Sequence, residues 1–242
     1  MDVADDAFIE AQLLALALAA GINDATTFPD YRVFVSNQTG NTALLAVGAL
    51  GLGKESVDLP NVAMSLSLFV AAGLMFGQLG DRIGRRRKAW LLVTNTVQTA
   101  LMFAAAALRQ WLPEQHKGPN AWAVIVLLAF ASGGQVAMAR TVNLPQIPTA
   151  MVTSAYIDTF ADPDIFALRN RPRNRRLLFI VALVVGSFIG AGAYAAVKPA
   201  LPLLLASLCK AAVCVSFLFN PAMPPEEIDE AEEPAVQETN PV

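Results

Sequence analysis

Charged residues are scarce in this chain. Asp, Glu, Lys and Arg make up 15% of its 242 residues, and 55% are hydrophobic. An average soluble domain carries about 25% charged residues. With a mean hydropathy of +0.48, a single water-soluble core could not absorb the apolar surface, which points to a polytopic membrane protein. Cysteine is nearly absent. Cys209 and Cys214 share one apolar stretch, where their side chains diverge on a helix. That excludes a disulfide framework and leaves buried, inert thiols. Histidine occurs once, as His116 beside Lys117, without a Cys or His partner nearby in sequence, so no metal site is expected. The chain also lacks a phosphate-cradling glycine loop and a Gly-x-Ser-x-Gly elbow. Ser132-Gly133-Gly134 comes nearest to a nucleophile turn, with no histidine at its depth. No nucleophile, base or metal set supports an enzyme, including one acting on a lipid within the membrane, and no cofactor is expected. The chain starts with Asp2, Asp5 and Asp6 and lacks the basic start and small-residue cleavage site of a signal peptide. The first apolar run is therefore expected to stay.

Long apolar runs are what the chain does have. Crossing about 30 Å of hydrocarbon takes about 20 residues of helix. Suitable runs cover residues 7–24, 34–53, 61–80, 89–109, 121–139, 177–197 and 200–219, each bounded by Pro, Gly or charged residues. The expected fold is an all-α transmembrane bundle of about seven spans, within a range of six to eight. The last run contains Lys210, which would snorkel or face an interior. Segment 140–176 differs. Its apolar core, 149–161, reaches only about 20 Å as a helix, with Pro148 suited to its start and Pro163 to its stop. A half-helix is expected there, with a short, tilted eighth span as the rival. The basic clusters 82–88 and 169–176 are both expected in the cytoplasm. They share a side if the half-helix does not cross, and seven spans then put the N-terminus on the opposite side. Charge collected in short loops is an orientation pattern and not a nucleic-acid surface. Residues 221–242, rich in Pro, Glu and Asp, read as a disordered tail after a transmembrane domain of residues 1–220. Two glycine series, Gly73, Gly77, Gly80 and Gly186, Gly190, Gly192, fit close helix packing in lipid.

One passage breaks the apolar pattern. "GINDATTFPDYRVFVSNQTGNT", residues 21–42, sets polar side chains between two hydrophobic runs. In hydrocarbon, non-helical backbone is tolerated only where protein or a water-filled cavity satisfies it. Asn23, Asp24, Thr26, Thr27, Asn37, Gln38, Thr39, Asn41 and Thr42 are therefore candidate solute-binding residues. A helix start near Gln38 would aim free N–H groups at the same place, which favours anions. The competing reading makes these side chains interhelical glue, with Asp24 and Asp30 as helix caps. Asn37-Gln38-Thr39 also matches a glycosylation acceptor, but at the start of an apolar span where the transferase could not easily reach.

A second passage, "GQVAMARTVNLPQIPTAMVTSAY", follows a similar course. In both, an apolar helix ends in Gly and polar residues, a Pro-containing irregular stretch follows, and a Thr-rich helix start comes next. Paired interruptions of this kind are the sequence sign of a transporter-like repeat, here with halves 7–110 and 121–220. They add Gln135, Arg140, Thr153, Ser154 and Asp158 to the candidate site. If the halves face one another, Arg140 would pair with Asp24, or failing that with Asp158.

"GINDATTFPDYRVFVSNQTGNT", with the following "LAVG", the "RRRKAW" before a helix and the block "IPTAMVTSAYID", resembles the YoaK-like family of multi-pass membrane proteins, in particular its fungal branch. The resemblance runs from about Leu14 to Phe219. It implies an integral membrane fold with a duplicated Thr-Gly motif and no known reaction. Ser154 stands where a second Gly would complete that duplication. "GQLGDRIGRRRK", residues 77–88, is similar to the loop signature of the major facilitator transporters. It follows the third run instead of the second, in a chain too short for twelve spans, and reads as a tight basic turn.

The leading functional expectation is a carrier for a small polar or anionic solute, with interrupted helices around a polar midplane cavity. The alternative is a non-transporting membrane scaffold or assembly protein. The expected partners are the lipid bilayer and that solute, with no nucleic acid.

Overall fold

The computed structural model describes residues 6–52, 56–113, 115–197 and 200–221. They form eight α-helices and no strand: α1 Ala7–Tyr31, α2 Gln38–Ala49, α3 Leu59–Ile83, α4 Lys88–Trp111, α5 Pro119–Val142, α6 Thr153–Phe160, α7 Arg171–Ala196 and α8 Ala200–Ser216, which runs into a 3-10 turn, Phe217–Phe219. Local chemistry sets their ends. The Asp6 carboxylate accepts the first free amides of α1, from Phe8 and Ile9, as an N-cap does. Asp58 and Asn170 cap α3 and α7 in the same way, each ahead of a Pro in the first turn. Helix α3 stops at Gly84, whose φ of 117° disfavours a side chain. The Asp81–Arg85 pair, one turn apart at 2.7 Å, closes that corner. "GDRIGRRRK" is thus a helix stop followed by a basic turn.

Six helices are long and apolar enough to cross a membrane: α1, α3, α4, α5, α7 and α8 with its turn. The span count falls at the low end of expectation because 34–53 is not a span. Residues 33–37 are non-helical, α2 is 12 residues long, and Gly51 ends it at a φ of 69°. The expected half-helix exists as α6 and is only 8 residues long. The chain therefore holds two half-helices. All but the first residue of the expected acidic tail lies outside the described residues.

Side-chain contacts define the two ends of the bundle. At one end Glu10 of α1 binds Arg171 and Arg175 of α7, at 2.5 and 2.7 Å. Arg86 donates to the Val142 carbonyl, and Lys88 to the Leu218 carbonyl. Both basic clusters therefore lie at this end, together with the start of α1. This corrects the N-terminus, expected on the opposite side: six crossings return the chain to its starting face, and seven would not. Nearby, the Asp164 amide, Asn170 and Arg176 hold the Asp162 carboxyl below the usual carboxylate range. At the far end Arg109 grips the buried Asp30 with two hydrogen bonds, 2.6 and 3.1 Å. Asn61 there bonds the carbonyls of Tyr31 and His116.

The packing follows a pattern. Helix α1 lies mainly on α7, and α3 on α5; α5 also packs on α4, α1 on α8, and α4 on α8. Glycine sets the closest approaches. A Cβ on Gly186 would sit 2.1 Å from the Leu18 carbonyl oxygen, and one on Gly21 2.3 Å from that of Leu183. Across the other pair, a Cβ on Gly133 would sit 2.4 Å from the Phe69 oxygen. The order long, short, long, long occurs twice. Ala7 and Pro119, Leu59 and Arg171, and Lys88 and Ala200 begin matching helices 112 positions apart.

Candidate functional site

Helix α1 ends at Arg32 and α5 at Asn143, both left-handed, with φ of 59° and 62°. After each stop the chain turns back into the bundle without helical structure, then starts a half-helix. Residues 33–36 are held by Asp24, about two and a half turns before the start of that return. Its carboxylate accepts the amides of Val35 and Ser36, both at 2.8 Å, and the Ser36 hydroxyl at 2.5 Å. Asn41 binds the same strip from the other side, through the Phe34 amide and carbonyl. Ser65 of α3 adds a bond to the Phe34 carbonyl. These contacts supply partners that non-helical backbone needs at membrane depth.

The second return, 144–152, is built differently. The Ala150 amide bonds the Pro148 carbonyl at 2.9 Å around Thr149, whose φ is 63°. A β-branched residue in that region is a backbone outlier. Thr149 is fully buried, and its hydroxyl finds no partner among the described residues.

The two half-helices start at one cavity of about 700 Å³. Asn37, Gln38 and Thr39 reach it from α2, and Val152, Thr153 and Ser154 from α6. Asp24 and the stacked rings of Phe28 and Phe34, 4.5 Å apart, form another wall. Phe69 and Ser187 close it from α3 and α7. Asn37 caps α2 by accepting the Gly40 amide, whereas α6 has no side-chain cap. Free amides at the start of α6 therefore meet the cavity, the kind of partial positive charge that favours anions. Asp24 is the one ionisable residue among the lining.

Six of the fourteen candidate residues line this cavity: Asp24, Asn37, Gln38, Thr39, Thr153 and Ser154. Others serve the backbone. Thr26 bonds the Ile22 carbonyl and Thr42 that of Gln38, and Asn41 braces the strip already described. Asn23 and Thr27 are buried away from the lining, and Gln135 belongs to a separate polar cluster. There the fully buried Lys210 donates to Gln135 at 2.6 Å, and Gln135 to the Leu16 carbonyl. Asp158 is exposed, and its carbonyl binds Arg176. Arg140 is exposed near the basic end, where it lines a second cavity, of about 370 Å³, between α3 and α5. The expected Arg140–Asp24 pair does not form: the carboxylate already binds the 35–36 backbone, and the guanidinium sits a cavity away. Sequence reasoning missed Ser36, Phe69 and Ser187. Each lies in an ordinary apolar or loop context, and only the three-dimensional return of the chain brings it to the site.

The fold and this cavity define a multi-pass helical membrane protein with two half-helices meeting inside the bundle. Residues 12–216 match the family described as protein of unknown function (DUF1275), and the chain belongs to that family. No curated protein and no solved structure matches it.

Proposed function

We propose that this protein is a carrier for a small polar or anionic solute, bound where the two half-helices begin. The observation behind this reading is the convergence of both half-helix N-termini on one cavity. Non-helical backbone at this depth is expected only around a cavity or within protein, and paired interrupted helices are the recurring architecture of membrane carriers. The matching order of α1–α4 and α5–α8 supports an inverted repeat, since three crossings per half reverse the second half. The positive-inside bias then favours a cytoplasmic basic end, with residues 82–88 and 169–176 facing the cytosol.

The solute class follows from the walls. Uncapped α6 amides and the Thr153 and Ser154 hydroxyls offer donors. The Asp24 carboxylate is already committed to three donors and leaves little capacity to hold a cation. Monovalent anions and small neutral hydroxyl or amide compounds fit this balance. The scaffold alternative draws on Asn41, Asn61 and Ser65, which bond backbone and act as glue.

Purified protein in proteoliposomes would be tested against a panel of small anions and neutral solutes, with Thr153→Val and Asp24→Asn as controls. The carrier reading expects saturable uptake of at least one class, reduced by Thr153→Val. Absence of saturable uptake across the panel, with folded protein, would favour the scaffold.

A further inference from the structure

We infer that the cavity beside Asp24 and the cavity beside Arg140 are the two ends of one path through the bundle, and that Phe69 is the barrier between them. This rests on the carrier reading above and adds where the path runs and what closes it.

The two cavities are built from matching positions. On α1, Gly21, Asp24, Ala25, Phe28 and Pro29 line the first. The residues 112 positions further on, Gly133, Val136, Ala137, Arg140 and Thr141 on α5, line the second. That spacing also separates the starts of the matching helices. The facing helices are the matching pair α7 and α3, although the lining residues there, Leu183 and Ser187 in the first cavity and Gly73 and Gly77 in the second, are not at positions 112 apart. The cavities run in opposite directions. The first climbs α1 from Gly21 toward Pro29 and the far end. The second climbs α5 from Gly133 toward Thr141, and α3 toward Arg85, at the basic end.

Phe69 is the one residue common to both linings. It lies ten residues into the 25-residue α3, about 15 Å from the helix start, close to mid-depth. Its backbone is pinned by α5, where Gly133 approaches its carbonyl. A bulky ring on a fixed backbone at the meeting point of two cavities blocks passage, and it can clear the path by a change of rotamer or a small shift of α3 against α5. The cavities differ in size, about 700 against 370 Å³. Two halves of one design in unequal shapes are what a carrier open to one side requires. At the smaller end Arg140 is exposed and has no ion pair among the described residues, which suits recruitment of an anion from the basic side.

Cysteine accessibility tests this without a known solute. In a background with Cys209→Ala and Cys214→Ala, single cysteines are introduced as Ser187→Cys in the first cavity and Gly77→Cys in the second. No atom crowds a Cβ at Gly77. Sealed proteoliposomes are labelled from one face with a membrane-impermeant thiosulfonate, and Arg169→Cys reports the orientation of the basic end. The expected result is labelling of Ser187→Cys from the far face only and of Gly77→Cys from the basic face only. Adding Phe69→Ala should abolish that sidedness, so that each cysteine reacts from both faces; Phe69→Leu, the variant less disruptive to packing, should do so in part. Preserved sidedness in both Phe69 variants overturns the barrier and leaves the carrier reading standing. Labelling of both cysteines from the same face, or of neither, with Phe69 in place overturns the path and the carrier reading together.

Discussion

One methyl group on Gly186 would force α1 and α7 apart. A Cβ there would lie 2.1 Å from the Leu18 oxygen and 2.9 Å from its carbonyl carbon. Both neighbours are backbone atoms, so no side chain can rotate away. Restoring ordinary contact needs a local separation of about 1 Å, which loosens the neighbouring close contacts of Gly21 and Gly190 on the same interface. Overpacking costs about 1–3 kcal/mol, and this site belongs at the upper end. Replacing Gly by Ala within a helix returns about 1 kcal/mol, so Gly186→Ala should lose about 1–2 kcal/mol net. Gly73 gives the opposite case. Nothing lies within 4 Å of a Cβ placed there, so Gly73→Ala should keep the propensity gain of about 1 kcal/mol. Two chemically identical substitutions in two similar glycine series should thus differ by about 2–3 kcal/mol. The assay is the unfolding midpoint of purified protein in mixed micelles, read by tryptophan fluorescence. A Gly186→Ala midpoint at or above wild type would refute the reasoning. So would an equal loss in Gly73→Ala.

Three further outcomes are expected. Arg109→Gln alone should cost about 3–5 kcal/mol, because it removes the guanidinium that neutralises the Asp30 carboxylate, which is 1% exposed; adding Asp30→Asn should recover part of that, and simple additivity of the two losses would show that the pair is not coupled. Asp24→Ala should leave the Val35 and Ser36 amides without their acceptor, at about 1–3 kcal/mol each, and raise hydrogen exchange at those two amides above that of the α2 amides; unchanged exchange would mean the carboxylate does not hold the strip. Lys210→Met removes a fully buried ammonium bonded to Gln135; relief of the burial cost, several kcal/mol for one ion, should outweigh the about 1–3 kcal/mol lost by leaving the Gln135 carbonyl oxygen unpaired, so the variant should be neutral or more stable. A lowered unfolding midpoint would show instead that the ammonium is structural.

The helical membrane class was legible because hydropathy and run length report directly on the solvent. The half-helix at α6 was legible because Pro148 and Pro163 bracket too few apolar residues to cross. The half-helix at α2 was not. Its run, 34–53, has the length and hydropathy of a span, and what shortens it is tertiary: Asp24, Asn41 and Ser65 bond residues 34–36 and keep them out of the helix. The glycine series were equally opaque. Gly186 and Gly190 meet backbone, whereas Gly73 and Gly77 meet open space, and nothing in the spacing tells the two apart.

The polar residues of the first passage divide by one physical test, namely whether the backbone already uses them. Thr26, Asn41 and Thr42 bond main-chain carbonyls or amides nearby in sequence, so replacing them disturbs the frame. Thr39, Thr153 and Ser154 line the cavity, and their side chains form no hydrogen bond to protein among the described residues. Asp24 belongs to both groups, because its carboxylate holds the strip while its side chain forms part of the wall. Composition placed glue and site in one string of Asn, Asp and Thr, and the returning backbone of 33–37 sorts them. The proposed carrier reading accounts for both half-helix starts turning toward the same space, which interhelical glue alone does not require. Two such returns enter from opposite ends and stop at one cavity, and under the proposed carrier reading the uncapped amides of α6 are what a solute would meet there.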